Sequence, residues 1–395
     1  MTFSFDMYQT LAIATVVLLL GAGLKKKVGL LQKFCIPAPV VGGLLYALIM
    51  TVLHAVWGIE FNYDETLKNV CMVLFFTSVG FQANVKILKE GGVSLLIFLG
   101  IVIGLVFVQN GAAIAIAKLI GSDARVGMAT GSIPMIGGHG TAGAFGPILE
   151  DFGFRGATTV CTAAATFGLV AGSLMGGPVA ERLIRKYDLL SRTKEEDPTL
   201  LINEEQRHHH QPGKYASATY QLAIAMGLGT LISWLLSLTG MTFPVYIGAM
   251  IVAAIMRNIG EHTDKITIQI GEINDLGGIG LSLFLGIAMI TLKLWQLTEL
   301  AMPLVILLIS QVIIMYIFSR YIVFFLMGKD YDAAVLAAGI CGFGMGATPN
   351  AMANMQAVTE KYRPSVKAYI LVPIVGSMFA DFINSLAITF FINYI

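Results

Sequence analysis

Two glycine-rich segments place unusual backbone chemistry inside apolar stretches of the chain. The first reads Gly137-Gly138-His139-Gly140-Thr141, and the second reads Gly342-Phe343-Gly344-Met345-Gly346-Ala347-Thr348-Pro349-Asn350. Glycine permits helix breaks and close approach of the backbone. Free N–H groups at such breaks bind anions, whereas free carbonyl groups coordinate cations such as Na⁺. A lone glycine of this kind is usually a packing residue between membrane helices, but the matched pair favours a binding site.

Asp381 is the only acidic residue that we place deep in a predicted span, close to the centre of the last one. An ionisable side chain at that depth is costly and is a functional hypothesis by default. Its carboxylate is suited to balancing a substrate ammonium group, ligating Na⁺ or carrying a proton. The alternative is a structural role, as a hydrogen-bond partner of Asn350 or Asn384.

His139 and a run of histidines each have several interpretations. His139 is suited to orienting its loop, contacting substrate or sensing pH. The run His208-His209-His210 lies in a charged segment, and we interpret it as solvated rather than metal-binding. Asn354, four residues after Asn350, shares a face with it if a helix resumes there. The predicted substrate-binding residues are Gly137, Gly138, His139, Gly140, Thr141, Gly344, Gly346, Thr348, Asn350, Asn354 and Asp381, and the predicted Na⁺ ligands are Asp381, Asn350 and Thr348.

The composition is that of a membrane protein with many spans. Of 395 residues, 56% are hydrophobic and only 12% are charged, whereas soluble domains carry about 25% charge. The net charge of +1 gives no indication of nucleic-acid binding. The sequence has no HExxH, GxSxG or Walker A pattern, so neither a hydrolase nor an ATP-driven pump is indicated.

Ten apolar stretches are long enough to approach the roughly 20 residues that cross a bilayer. They lie near 8–24, 35–57, 69–85, 91–120, 156–179, 218–238, 242–256, 273–292, 300–327 and 366–392. The glycine-rich segments, at about 127–150 and 333–357, each precede the last span of a half. The predicted fold is therefore an all-α polytopic membrane protein.

The two halves of the chain resemble each other in order and spacing. Gly138 and Gly344 are 206 positions apart, Pro39 and Pro244 are 205 apart, and Phe76 and Phe284 are 208 apart. We predict a first repeat over 1–180, a central loop over 181–216 and a second repeat over 217–395. Because five spans is an odd number, the second repeat is inverted relative to the first. The two glycine-rich segments then form re-entrant hairpins whose tips approach each other near the midplane.

The distribution of Lys and Arg predicts the orientation. If the N-terminus is outside, most of the 25 basic residues fall on the cytoplasmic side, including those of the central loop. Both termini are then outside and the central loop is cytoplasmic. This count requires that each glycine-rich segment return to the side from which it enters.

Taken together, these residues resemble the sodium/glutamate symporter family over nearly the whole chain. The most specific pieces are Ser132 to Gly143, Cys341 to Gln356, and the run from Asp330 to Gly339. The resemblance implies two inverted five-span repeats with re-entrant loops, a bacterial inner membrane, and Na⁺-coupled uptake of L-glutamate with no organic cofactor.

From these observations we expect a Na⁺-coupled L-glutamate importer that works by alternating access. By analogy alone, spans three to five of each half form an elevator-like moving unit, and spans one and two form a frame and a homodimer contact. Two alternatives stay open. One is a Na⁺/H⁺ or other ion exchanger that uses Asp381, and the other is a membrane-embedded enzyme that uses Asp381 and His139.

Overall fold

The computed structural model describes residues 2–34, 36–86, 92–192, 212–238, 244–263, 267–295 and 301–394. The helices of the first half are α1 Met7–Lys27, α2 Gly29–Lys33, α3 Ala38–Trp57, α4 Thr66–Gln82, α5 Gly92–Leu119, α6 Ala124–Met128, α7 Ser132–Met135, α8 Gly138–Asp151, α9 Ala157–Tyr187 and α10 Leu189–Arg192. Those of the second half are α11 Pro212–Ser237, α12 Val245–Thr263, α13 Ile270–Ile290, α14 Ala301–Ile317, α15 Phe324–Leu326, α16 Tyr331–Phe343, α17 Thr348–Lys361, α18 Val366–Pro373 and α19 Asp381–Tyr394. The histidine run at 208–210 and most of the predicted central loop lie outside the described residues.

Two π-helical segments and one small sheet complete the described fold. The π segment Phe318–Val323 joins α14 to α15, and the π segment Ile374–Ala380 joins α18 to α19. Strands β1 (Thr2–Phe5) and β2 (Glu60–Tyr63) pair in parallel, with Thr2 opposite Glu60. The sheet thereby ties the chain before α1 to the connection between α3 and α4.

Local sequence explains where the first span begins and ends. The Asp6 carboxylate accepts hydrogen bonds from the backbone N–H groups of Tyr8 and Gln9, which caps the start of α1. The Gln9 side chain in turn accepts from the N–H of Asp6, completing a capping box. Three lysines, Lys25, Lys26 and Lys27, occupy the last turn, where cations favour the negative end of the helix dipole.

The prediction of an all-α polytopic membrane protein is confirmed. Seven described helices are long and apolar enough to cross a membrane: α1, α3, α5, α9, Gly213–Ser237 of α11, α13 and the continuous helix Ala301–Leu326. An eighth candidate is the pair Val366–Gly376 and Asp381–Tyr394, which is bent by 45°. The two remaining predicted spans are also helical, but α4 has only 17 residues and α12 carries Arg257 and Glu261 in its second half.

The described helices pack in two groups. The frame helices, as we call them, are α1, α3, α4, α11, α12 and α13, and the broken-helix group is α5 to α9 with α14 to α19. The third span of each half, α4 or α13, packs chiefly against the other frame helices, whereas the sequence-based expectation placed it in a moving unit with spans four and five. Small residues cause this packing, since a Cβ added to Gly277 of α13 would lie 2.0 Å from the Ser78 hydroxyl oxygen of α4.

The frame helices of the two halves make matching glycine contacts. A Cβ added to Gly42 of α3 would lie 2.0 Å from the Val17 carbonyl oxygen of α1, and one added to Gly248 of α12 would lie 2.1 Å from the Gly229 carbonyl oxygen of α11. Gly42 and Gly248 are 206 positions apart. In each half, therefore, the first two spans cross backbone against backbone at equivalent positions.

The crossing of α1 and α3 generates a prediction about stability. A Cβ at Gly21 would lie 2.1 Å from the Ala38 carbonyl oxygen, whereas a Cβ at Gly23 meets nothing within 4 Å. We expect Gly21→Ala to destabilise the fold by roughly 1–3 kcal/mol through overpacking. Gly23→Ala, two residues away on the same helix, gains helix propensity and serves as the matched control.

The measurement is the thermal unfolding midpoint of each purified variant in one detergent. The midpoint should fall for Gly21→Ala and stay level or rise for Gly23→Ala. Equal midpoints for the two variants would show that the close crossing does not limit stability.

Candidate functional site

The first glycine-rich segment is a helix break that requires glycine. Helix α7 ends at Met135 and α8 begins at Gly138, whose φ is +57°, a conformation that L side chains rarely adopt. A Cβ added to Gly137 would lie 2.1 Å from the Thr141 hydroxyl oxygen. Thr141 is thus packed under Gly137, and the sequence of the segment fixes where α8 starts.

The two sides of this break run antiparallel. Arg125 of α6 donates a hydrogen bond to the backbone carbonyl of Phe152, just after α8, and is held in place by an ion pair with Asp123. Met128 and Leu149 share the lining of one surface cavity at the same end. The chain that follows the glycines therefore returns to the residues that precede them, and the glycines lie at the turn between the two limbs.

The second glycine-rich segment is built in the same way. Helix α16 ends at Phe343, α17 begins at Thr348, and residues 344–347 form the connection. A Cβ added to Gly342 would lie 2.3 Å from the backbone nitrogen of Ala351, and the Tyr331 hydroxyl donates to the backbone carbonyl of Arg363. Helices α16 and α17 thus run antiparallel from their common tip.

Two consecutive amide side chains on α5 hold both breaks. Gln109 Nε2 donates to the Gly344 carbonyl over 2.8 Å. Asn110 accepts from the Ser132 backbone N–H and donates to the Ser132 hydroxyl, both over 2.8 Å. Asn384 of α19 donates to the Ser132 carbonyl over 3.1 Å. Gln109 and Asn110 thus satisfy the Gly344 carbonyl and the Ser132 N–H, which the broken helices leave without an intrahelical partner. The Ser132 carbonyl also accepts from the N–H groups of Ile136 and Gly137.

Asn350 and Asn354 attach the second helix pair to α9. Asn350 Nδ2 donates to the Leu169 carbonyl over 3.0 Å and to the Ser173 hydroxyl over 2.9 Å. Asn354 Nδ2 donates to the Gly172 carbonyl over 3.0 Å and lies 3.3 Å from the Ala338 carbonyl. Their amide nitrogens are therefore engaged in holding α17 in place. Asn350 Oδ1 is buried and has no hydrogen-bond partner among the described residues.

The tips of the two helix pairs meet at a cavity of about 300 Å³. A Cβ added to Gly138 would lie 2.9 Å from the Gly346 carbonyl oxygen, so the two loops are in direct contact. Seven of the predicted site residues line this cavity: Gly137, Gly138, His139, Gly140, Gly346, Thr348 and Asp381. Four others, Thr141, Gly344, Asn350 and Asn354, lie behind the lining in the contacts described above.

The cavity lies at the boundary between the two helix groups. Its other wall is apolar and comes from the frame: Phe75 of α4 and Leu281 and Leu285 of α13. Sequence reasoning missed these residues because an apolar residue in an apolar span gives no local signal of which face it occupies. The Gln109-Asn110 pair gave a signal that was overlooked, since two adjacent amides inside an apolar span require partners.

Asp381 faces this cavity at the start of α19, directly after the π segment Ile374–Ala380. In the part of the chain that the structure describes, its carboxylate has no hydrogen-bond or ion-pair partner. The amide nitrogens of Asn350 and Asn384 donate elsewhere. The structural alternative for Asp381 therefore finds no support, and its carboxylate is free to meet a cation in the cavity.

His139 is held by α9. Its Nε2 lies 2.9 Å from the Thr166 hydroxyl oxygen, and that hydroxyl donates to the Thr162 carbonyl over 3.0 Å. Because the hydroxyl proton is used for Thr162, His139 Nε2 acts as the donor to Thr166 and Nδ1 is left as the acceptor. This contact fits the loop-orienting interpretation, although His139 also contributes to the cavity lining.

The arrangement combines groups that are suited to ligands of opposite charge. Helices α8 and α17 both begin at the cavity, and the first N–H groups of a helix attract anions. The Asp381 carboxylate attracts cations in the same space. A multi-span helical protein with matched broken helices around one such cavity has the architecture of a secondary transporter.

Comparisons with known proteins agree with this class. The family model of the sodium/glutamate symporter matches residues 3–364. A sodium/glutamate symporter of Escherichia coli K12 and one of Shigella flexneri are each 40% identical over 393 residues, covering 99% of this chain and 98% of theirs. One from Haemophilus influenzae is 41% identical over 391 residues, covering 98% and 96% respectively. The chain belongs to the sodium/glutamate symporter family, whose named members are transporters and not enzymes.

The contact between the loop tips generates a prediction. Gly138→Ala places a methyl group at a positive φ, which costs about 1–2 kcal/mol, and forces it toward the Gly346 carbonyl oxygen. We expect the cavity to be distorted and substrate transport to fall by about tenfold or more while the protein stays folded. Gly104→Ala on α5 is the control, since a Cβ there meets nothing within 4 Å.

Transport of radiolabelled glutamate into proteoliposomes and size-exclusion profiles of both variants provide the measurement. Full transport by Gly138→Ala would show that the tip contact is dispensable. A loss shared by Gly104→Ala would point to a general sensitivity to added volume.

Proposed function

We propose that the protein is a Na⁺-coupled importer of L-glutamate in a bacterial inner membrane. The observation that carries the proposal is the shared cavity in which two helix starts and the Asp381 carboxylate face one another. Membership of the sodium/glutamate symporter family supports the choice of substrate and coupling ion. The cavity volume of about 300 Å³ is at the small end of ligand pockets, as suits a single amino acid.

Each charged group of glutamate has a complementary partner in this proposal. The two carboxylates are held by backbone N–H groups within Gly137 to Thr141 and within Gly344 to Asn350, at the starts of α8 and α17. The groups suited to this are those of Gly138, His139 and Gly140 and those of Gly346 and Thr348, because Pro349 has no N–H and the N–H groups of the two end residues of each range, and of Ala347, donate to backbone carbonyls. Asp381 balances the ammonium group or ligates Na⁺, and the Thr348 hydroxyl and the Asn350 side-chain oxygen are further Na⁺ ligands. The unpartnered Asn350 Oδ1 supports this assignment, because a buried oxygen without a donor suits a cation.

The chain is organised, we propose, as two inverted repeats over 1–180 and 217–395. The glycine-rich segments are re-entrant hairpins, the termini are outside, and the central loop over 181–216 is cytoplasmic. The antiparallel course of both broken helix pairs supports re-entry, because each pair brings the chain back toward its start. The matching crossings at Gly42 and Gly248 support the duplication.

Transport proceeds by alternating access, with the broken-helix group moving against the frame helices. The position of the cavity between these groups supports this division, since movement there exposes the cavity to one side at a time. Helices α4 and α13 belong to the frame in this scheme, which differs from the sequence-based expectation. The frame also forms the proposed homodimer contact.

Energetics favour more than one cation per cycle. A tenfold Na⁺ gradient provides about 1.4 kcal/mol per ion, and the membrane potential adds about 2.3 kcal/mol per charge per 100 mV. Glutamate carries a net negative charge into a negative interior, which opposes uptake. A single Na⁺ would cancel that charge and leave only the concentration gradient, so we expect at least two.

Uptake of radiolabelled L-glutamate into proteoliposomes tests the proposal. We expect accumulation that depends on an inward Na⁺ gradient and collapses when a Na⁺ ionophore is added. Folded protein that accumulates no glutamate, yet exchanges Na⁺ for H⁺ in the same vesicles, would replace the importer with the ion exchanger.

A substitution at Asp381 tests its role separately. We expect Asp381→Asn to lower coupled uptake by about tenfold or more, because the amide retains the shape but loses the charge that attracts a cation. Asp381→Glu should retain part of the activity and shift the Na⁺ concentration for half-maximal uptake. Asp151→Asn, an exposed carboxylate at the end of α8, is the matched control.

The readouts are the initial uptake rate against Na⁺ concentration and against glutamate concentration. A change in the Na⁺ dependence alone would assign Asp381 to the ion, and a change in the glutamate dependence alone would assign it to the ammonium group. Unaltered coupled uptake by Asp381→Asn would exclude both roles.

A further inference from the structure

Two arginines converge on one phenol at a distance from the cavity lining. Arg182 of α9 donates to the Tyr316 hydroxyl oxygen over 3.3 Å, and Arg320 donates to the same oxygen over 2.9 Å. Two guanidinium groups that share an acceptor lie within a few ångströms of each other. Two positive charges held this closely repel each other, and an anion bound between them relieves that repulsion.

Arg320 is largely buried and lies in the π segment Phe318–Val323 of a candidate membrane span. Arg320 is only 8% exposed, and its guanidinium carbon lies 5.8 Å from the ring centroid of Tyr316 and 5.5 Å from that of Tyr321. Neither Arg320 nor Arg182 has an ion pair among the described residues. A guanidinium group has five donors, so most of this donor capacity is available for an anion.

The acidic side chains close by in the sequence are engaged elsewhere. Glu181 pairs with Arg185 over 2.5 Å and with Lys361 over 3.1 Å. Asp330 accepts a hydrogen bond from the Ala333 backbone N–H over 2.7 Å, which caps α16. These carboxylates are therefore not the partners of Arg182 and Arg320, and an anion that neutralises the two guanidinium groups has to come from elsewhere.

The surface that leads to the arginines is apolar. The span Ala301–Leu326 exposes one stripe of side chains at four-residue spacing, namely Ile309, Ile313, Ile317, Tyr321 and Phe325. Such a stripe on a membrane span is suited to contact with acyl chains. Lys186 and Lys329 lie over the rings of Tyr187 and Phe325 at the same end, which adds positive charge there.

We propose that Arg182 and Arg320 bind the phosphate of an anionic phospholipid, with an acyl chain along Ile309, Ile313 and Ile317. Guanidinium groups recognise phosphate oxygens with paired hydrogen bonds, and basic sites between membrane helices favour anionic headgroups. The lipid would connect α9 to α14 within the broken-helix group. This inference concerns a site outside the cavity and does not rest on the proposed transport function.

The test titrates delipidated full-length protein in detergent with short-chain phosphatidylglycerol. Native mass spectrometry measures bound lipid, and the thermal unfolding midpoint measures stabilisation. Phosphatidylcholine with the same chains and sodium phosphate provide the zwitterionic and the free-phosphate arms. We expect phosphatidylglycerol to bind at least about tenfold more tightly than phosphatidylcholine, as expected for charge-assisted hydrogen bonds.

Variants locate the site. Arg182→Gln should lower phosphatidylglycerol affinity by about tenfold, and Arg320→Lys, which retains the charge but loses the planar fork, should lower it to a smaller degree. Arg185→Gln removes the same charge from the same helix at a residue that pairs with Glu181, and it should leave the affinity unchanged.

Three outcomes would overturn the proposal. The first is equal affinity in wild type and Arg182→Gln, and the second is an equal loss in Arg185→Gln, which would indicate general charge attraction. The third is stabilisation by sodium phosphate as strong as that by phosphatidylglycerol, which would make free phosphate the ligand. None of these readouts depends on glutamate transport, so they are independent of the proposed function.

Discussion

The need to satisfy backbone groups at two helix breaks constrains the rest of this structure. A broken helix in apolar surroundings exposes carbonyl and N–H groups that neither lipid nor apolar side chains can bond. Here neighbouring helices supply amides, and Gln109 and Asn110 on α5 serve the second and the first break respectively. Because these two residues are adjacent, one helix fixes both breaks, and the tips that they support can meet at Gly138 and Gly346.

This support also determines which backbone groups are left for a ligand. The amides bond Gly344 and Ser132, on the sides of the breaks that precede the new helices, and the residues at the starts of α8 and α17 line the cavity. The two starts are similar, but Asp381 occurs in one half only, and position 177, its counterpart, is glycine. The cavity therefore has two similar helix starts and a single carboxylate in its lining, and the proposed binding of an amino acid with a coupling ion depends on this difference between the halves.

The positions of the helix breaks, the spans and Asp381 were predictable from the sequence. The grouping of the helices and the partners of the buried amides were not, because they depend on which face of a helix each residue occupies. Glycine spacing located both breaks, hydropathy located the spans, and the depth of Asp381 in an apolar stretch singled it out, because each is a local property of the chain. The grouping of α4 and α13 with the frame was not predictable, since it depends on which side of α13 Gly277 occupies against Ser78. The tethering of α17 to α9 by Asn350 and Asn354 was missed for the same reason, because sequence identifies an amide but not its acceptor. The inverted arrangement of the repeats stays a prediction.

Glycine contacts with backbone atoms occur within the helix groups, whereas the glycine contact that lines the cavity between the groups is with side chains. Within each group, some glycines meet backbone atoms: a Cβ at Gly168 of α9 would lie 2.3 Å from the Met345 carbonyl oxygen, much as Gly42 meets Val17 in the frame. Between the groups they meet the ends of side chains, since a Cβ at Gly140 would lie 3.2 Å from the Phe75 ring and 3.5 Å from a Leu281 methyl group. Backbone contacts interlock and resist sliding, whereas side-chain ends can change rotamer as a neighbour passes. The boundary that holds the cavity includes contacts of this second kind, and the proposal that the two groups move past each other rests on that feature.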